Sequence, residues 1–232
     1  MVDVKQGVLW DLDGVLFDTT ELHFQTWLEI LKRYDIPFTR EMFNGIFGMK
    51  NDEFMAQVFG KTLEPVFVAK ISDQKEELFR QMSPGRVQLL PGVKEWLARL
   101  KDWGISQAVA SSAPQANVDT LLDQAEIRPF FSAVVSSAGL PGKPDPAVFL
   151  KAAALIDVPA ELCVVIEDAV VGVEAAKRAS MKCIAVTTSN PTQALAAADV
   201  VVNGLVHLSI PVFMQLLSRN GGKTGVEKGS QD

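Results

Sequence analysis

Six short apolar runs, most of them continuous, constrain this chain more than any other feature. They are Val8-Leu9-Trp10, Gln107-Ala108-Val109-Ala110, Ala133-Val134-Val135, Leu162 to Ile166, Cys183 to Val186 and Val200-Val201-Val202. A strand that faces water on one side alternates apolar and polar residues. A continuous run predicts a strand covered on both faces, as in a parallel sheet between two layers of helices. Helical patterns separate most of the runs. One follows Pro91-Gly92, with Val93, Trp96, Leu97 and Leu100 on one face. A second opens at Pro144 or Pro146 and turns Val148, Phe149, Ala152 and Leu155 inward, and a third covers Ala169 to Ala179. The alternation predicts a doubly wound α/β sheet.

Between about Thr20 and Val87 no strand pattern occurs. Thr20 can cap a helix bearing Phe24, Trp27, Leu28 and Leu31, and Thr39 and Asn51 can cap shorter ones. Pro65 can start a helix with Ile71, Leu78, Phe79 and Met82 at helical spacing. The expected organisation is therefore an α/β core in residues 1–18 and 88–219, a helical insert in 19–87, and a disordered Gly/Lys/Ser-rich tail in 220–232.

The formal net charge of -6 and the lack of a Lys/Arg cluster argue against a nucleic-acid partner. No apolar segment is long enough to span a bilayer, and no leader pattern is seen at the start, so the expected setting is cytoplasmic, away from membranes. Cys163 and Cys183 each lie inside an apolar run and read as buried thiols rather than a redox pair.

The chemistry concentrates where strands end. Asp11 and Asp13, in Asp11-Leu12-Asp13-Gly14, follow the first run, and residues two apart tend to point the same way. Glu167 and Asp168 follow the fourth. In an open α/β sheet the ligand site lies off the carboxyl ends of the strands. Several acids at one edge are costly unless a cation sits among them, and such oxygen ligands suit Mg2+. Ser111 and Ser112 follow the second run, where hydroxyl and N–H groups can hold phosphate oxygens. Lys143, in Gly142-Lys143-Pro144-Asp145-Pro146, can neutralise both an acidic nucleophile and a phosphate.

The set Asp11-x-Asp13, Ser111, Lys143 and Glu167-Asp168, in that order, resembles the haloacid dehalogenase superfamily, over roughly Val4 to Leu217. The segment around Lys143 and the run Ile166-Glu167-Asp168-Ala169-x-x-Gly172-Val173-x-Ala175-Ala176 are its most specific parts. The resemblance implies a Rossmann-like core with an inserted helical cap, close to the branch that contains β-phosphoglucomutase. It implies Asp11 as nucleophile, Asp13 as acid and base, and Ser111 and Lys143 as phosphate contacts. Mg2+ would be held by the Asp11 carboxylate, the Asp13 carbonyl and Asp168, with Glu167 ligating directly or through water.

Around this set, His23 stands between two readings, a partly exposed surface histidine and, by resemblance, a group facing the active site. Lys50 and Asn51 fall where related enzymes place a substrate-contact loop, and Lys75 is a weaker cap candidate; for all three an ordinary solvated side chain is the default expectation. His207 is expected to be surface or packing. The leading expectation is a Mg2+-dependent phosphatase for a small phosphorylated metabolite, monomeric or a weak homodimer, with a β-phosphoglucomutase-like phosphohexomutase as the alternative. The mutase resemblance is weakened by Asn51 where that enzyme has an arginine, and by Ala113-Pro114 where it has Ser-Lys. A metal-free dehalogenase is disfavoured because Asp13 is present. A phospho-accepting receiver is disfavoured because the acceptor lies on the first strand and a helical insert follows it.

Overall fold

The continuous apolar runs do become strands, and the central ones are buried from both sides. The computed structural model describes residues 5–46 and 51–218. In chain order its elements are β1 (Gly7–Trp10), α1 (Thr20–Lys32), α2 (Arg40–Ile46), α3 (Asn51–Phe59), α4 (Pro65–Met82), α5 (Val93–Asp102), β2 (Ser106–Ser111), α6 (Gln115–Gln124), β3 (Ala133–Ser136), α7 (Ala147–Leu155), β4 (Cys163–Glu167), α8 (Val170–Arg178), β5 (Lys182–Val186), β6 (Val200–Val202) and α9 (Ile210–Ser218). The strands form one sheet in the order β3-β2-β1-β4-β5-β6, and every pairing is parallel. The fold is α/β and Rossmann-like.

Strand residues alternate between two cores. Val8, Trp10, Val109, Val164, Ile166 and Ile184 meet α5, α6 and α9 on one face. Leu9, Ala108, Ala110, Val165, Cys183 and Ala185 meet α7 and α8 on the other. Both cysteines are buried and free.

Helices α1–α4 follow β1 and carry an aromatic core of their own. Trp27, Ile30, Leu31, Phe38, Phe43, Phe54, Met55 and Ile71 are packed together, and Trp27 stacks on Phe54 with ring centroids 4.2 Å apart. The far ends of this module reach the sheet's core, since Leu22 of α1 and Phe79 of α4 belong to it.

Four local expectations change. Leu28 is exposed, because α1 packs against α4 along a face centred on Trp27, Ile30 and Leu31. Leu155 is exposed at 57%; the chain turns at Asp157 (φ 55°), and Ile156 and Val158 fill the space beneath α7. Thr20 is the first helical residue rather than the cap; Thr19 occupies the cap position, and its hydroxyl bonds elsewhere. Pro146 precedes α7 instead of lying within it, and Asp145 Oδ1 accepts the Ala147 N–H at 2.9 Å. Residues 220–232 lie outside the described residues. No helix of the described residues is long and apolar enough to cross a membrane.

Candidate active site

The parallel register brings the ends of three central strands together. β1 is flanked by β2 and β4, with Trp10 opposite Val109 on one side and Ile166 on the other. The next residue, Asp11, extends the ladder by donating its N–H to the Ile166 carbonyl at 3.0 Å. Its carboxylate emerges at the sheet edge and is almost wholly buried.

Lys143 ties these strand ends together. Its Nζ donates to Asp11 Oδ1 at 2.5 Å, Glu167 Oε1 at 2.7 Å and the Ala110 carbonyl at 3.3 Å. The loop that delivers it enters α7 through a cis Lys143–Pro144 peptide. Burial alone would lower this ammonium's pKa; the two carboxylates outweigh it and push it up. For Asp11 burial wins. Its pKa is pushed up to about 7, with Lys143 pulling down and Glu167 and Asp13 adding to the rise.

Glu167 is held from the opposite side. Its Oε2 accepts the N–H groups of Asp168 and Ala169, each at 2.8 Å. Three of its roughly four lone-pair sites are thus in use. Its seat exists because residue 172 is glycine; a Cβ there would stand 1.8 Å from Glu167 Oε1.

Asp168 is the carboxylate without a cation. Among the described residues no lysine, arginine or histidine forms an ion pair with it. Burial first, then Glu167 and Asp11, push its pKa well above the usual carboxylate range. Ligand oxygens of Asp11, Glu167 and Asp168 lie within 4.8 Å of one another, and all three residues are buried. Three buried carboxylates share one lysine. An oxygen-only donor set with excess negative charge fits a small hard divalent cation such as Mg2+. Gly14 lets the loop close on this cluster. Its φ is 78°, and a Cβ there would lie 1.9 Å from Asp168 Oδ2.

Asp13 is held apart from that cluster by groups from the helical module. Thr19 Oγ1 donates to its Oδ1 at 2.6 Å, and His23 Nε2 lies 3.4 Å from the same oxygen. Burial would raise the Asp13 carboxyl, but His23, Thr19 and the charge of Lys75 hold it below the ordinary range. His23 is also 2.8 Å from Lys75 Nζ through Nδ1 and stacks on Phe79 at 4.5 Å. Its ring is therefore part-buried beside Asp13.

Lys75 overturns the expectation of a solvated side chain. It is 2% exposed, and its ammonium meets Glu76 Oε1 at 3.0 Å and Oε2 at 3.1 Å. Asn117 of α6 donates to Glu76 at 2.7 Å and accepts from Arg80 at 2.8 Å, so a buried polar chain runs from Asp13 to the core. Helical spacing hid this. Position 75 lies four residues after Ile71 and four before Phe79, so it is on the apolar stripe of α4, where only a buried partner makes a lysine tolerable.

Ser111 is buried at the end of β2, and its Oγ accepts the Ala113 N–H at 3.0 Å. Ser112 is exposed in the loop that follows. His207 is exposed and takes no part in the cluster. Lys50 and the side chain of Asn51 lie outside the described residues. Thr19, Glu76, Asn117 and Ser189 are contributors that the sequence reading did not single out.

Fold and cluster together define a Rossmann-like α/β protein with a buried, lysine-bound aspartate at the end of its central strand. A comparison with known families agrees, since residues 8–186 match the model for haloacid dehalogenase-like hydrolases. The chain belongs to that family. It is 34% identical over 207 residues to the chloroplastic 5-amino-6-(5-phospho-D-ribitylamino)uracil phosphatase of Arabidopsis thaliana, covering 88% of this chain and 56% of that one. It therefore spans little more than half of that relative. It is also 34% identical over 218 residues to the β-phosphoglucomutase of Bacillus subtilis, covering 90% and 93%. Among solved structures, CbbY from Rhodobacter sphaeroides in complex with xylulose-(1,5)bisphosphate superposes with a TM-score of 0.80 at 27% identity, covering 89% of this chain and 97% of that one.

Proposed function

We propose that this chain is a phosphoric monoester hydrolase, a Mg2+-dependent phosphatase that acts on a small phosphorylated metabolite through an aspartyl-phosphate on Asp11. The observation that carries this reading is the division of labour between two aspartates two residues apart. Asp11 is buried against Lys143 at 2.5 Å, while Asp13 is held by Thr19 and His23 on the side of the helical module.

In this mechanism the Asp11 carboxylate attacks phosphorus and takes the phosphoryl group. Lys143 balances the charge that gathers on the nucleophile and on the phosphate oxygens. Ser111 supplies a hydroxyl at the phosphate, with Ser112 beside it. Asp13 gives a proton to the leaving oxygen, then takes one from the water that breaks the aspartyl-phosphate. Its contacts with Thr19 and His23 keep it aimed at that position. Mg2+ would be held by Asp11, the Asp13 carbonyl and Asp168, and when bound it would shield the attacking carboxylate and stabilise the charge on the transferred group. Glu167 serves mainly to fix Lys143, since its own oxygens are largely used.

Residues 19–87 are read as a cap that closes over residues 1–18 and 88–219 during turnover and contributes His23, Lys50 and Asn51 to substrate selection. The substrate is read as a free small molecule such as a sugar phosphate, met in the cytoplasm by a monomer or weak homodimer, with no nucleic-acid or membrane partner.

The mutase reading keeps a specific support. His23 contacts Asp13, and the Bacillus subtilis relative named β-phosphoglucomutase aligns over nearly its full length. A ³¹P NMR time course separates the two. The protein is given Mg2+, β-glucose 1-phosphate and a trace of glucose 1,6-bisphosphate, then a panel of phosphorylated metabolites. Inorganic phosphate released from one of these compounds, and abolished in a folded Asp11→Asn variant, is the expected result. Glucose 6-phosphate without matching inorganic phosphate would replace phosphatase by mutase.

A further inference from the structure

The loop after β5 brings two polar side chains to Asp168. Asn190 Nδ2 donates to the Asp168 backbone carbonyl at 3.0 Å. Ser189 Oγ is buried and, among the described residues, is the one buried side-chain oxygen or nitrogen with no hydrogen-bond partner. It is nevertheless close to the Asp168 carboxylate. A Cβ built on Gly14 would meet Asp168 Oδ2 at 1.9 Å and Ser189 Oγ at 2.9 Å, so both oxygens line the same small space.

A buried hydroxyl with nothing to bond is unfavourable, and native proteins rarely keep one without a use. The acceptor nearest to this hydroxyl is the Asp168 carboxylate. Hydrogen-bond partners behind a metal-holding carboxylate orient it and tune the affinity of the site.

We propose that Ser189 and Asn190 are positioning residues for the divalent-cation site, Ser189 donating to the Asp168 carboxylate and Asn190 fixing the Asp168 backbone. This rests on the reading of Asp168 as a metal ligand. It adds the β5–β6 loop, which none of the matched motifs includes, to the machinery that tunes metal affinity.

The test measures Mn2+ binding to the full chain by electron paramagnetic resonance, without substrate, in wild type and in Ser189→Ala, Ser189→Thr, Asn190→Ala and Asp168→Asn. Loss of an outer partner typically weakens metal binding about 10–100-fold. Ser189→Ala and Asn190→Ala should fall in that range, and Ser189→Thr should retain wild-type affinity. The thermal midpoint of EDTA-treated Ser189→Ala should match or exceed wild type, because the metal-free form loses only an unsatisfied hydroxyl. Undiminished Mn2+ affinity in Ser189→Ala, with binding abolished in Asp168→Asn, would overturn the inference and spare the metal site. So would a drop in metal-free stability that Ser189→Thr does not restore, since that marks a packing role. Wild-type affinity in Asp168→Asn would overturn both.

Discussion

Replacing Gly172 by alanine sets helix propensity against the active site. Gly172 is buried in the first turn of α8, at an ordinary helical backbone angle. On backbone grounds alanine should stabilise the protein by up to about 1 kcal/mol. Space predicts the reverse. The new Cβ would stand 1.8 Å from Glu167 Oε1, 2.0 Å from Cδ and 2.5 Å from Oε2. Only displacement of the whole carboxylate relieves this, and that carboxylate accepts from Lys143 at 2.7 Å and from two backbone N–H groups at 2.8 Å. Hydrogen bonds to a charged group contribute about 1.5–3 kcal/mol each. Losing two, offset by the helix gain and by relaxation of α8, gives a net destabilisation of about 2–4 kcal/mol. Urea unfolding of wild type, Gly172→Ala, Glu167→Ala and the double variant measures it. With the carboxylate gone the obstruction is gone, and Gly172→Ala should become neutral or stabilising in the Glu167→Ala background. An equal cost in both backgrounds, or a Gly172→Ala protein as stable as wild type, would refute the reasoning.

Two further outcomes follow from the charges. The metal-free fold binds a proton on Asp11 more tightly than the unfolded chain does, because burial lifts its pKa from 3.8 to about 7. Stability of the EDTA-treated protein should therefore fall as pH rises from about 4 to about 7, with Asp168 acting in the same sense. Thermal midpoints across that range, with and without Mg2+, check the sign, and Mg2+ should flatten the decline. Lys75→Ala should cost about 3–5 kcal/mol by removing one partner of the buried Lys75–Glu76 pair. Lys75→Met combined with Glu76→Leu should recover much of that in denaturant melts.

The sheet was legible because its central strands are buried on both faces, and a strand such as Cys163–Glu167 has no solvent side to break its apolar run. The acids were legible for a related reason, since Asp11 and Glu167-Asp168 interrupt those runs at the edge where an α/β sheet presents its ligands. Lys143 was found through its neighbours in sequence, although its distance to Asp11 is set by a contact across 132 positions. What periodicity could not supply was pairing between elements. Lys75 reads as a solvated side chain until its buried neighbour Glu76 is seen to be met by Asn117, on a helix 41 positions away. The exposed Leu28 and Leu155 failed for the converse reason, because which side of a helix is covered depends on its neighbours as well as on its own spacing.

The position of the helical module between β1 and β2 also shapes how the protein reaches this state. Gly7 pairs with Ser106 across about a hundred residues, and with Cys163 across still more. The strand that leads into Asp11 therefore has no partner close to it in sequence. Closure entropy grows only slowly with loop length, by about 0.6 kcal/mol per doubling, so lengthening or shortening the insert changes equilibrium stability little. The kinetic effect is larger, since long-range parallel pairing is slow and leaves apolar strands open in the meantime. The module's aromatic core, by contrast, is drawn from one stretch of chain, Trp27 to Ile71, and such nearer contacts cost less closure entropy than the strand pairings do.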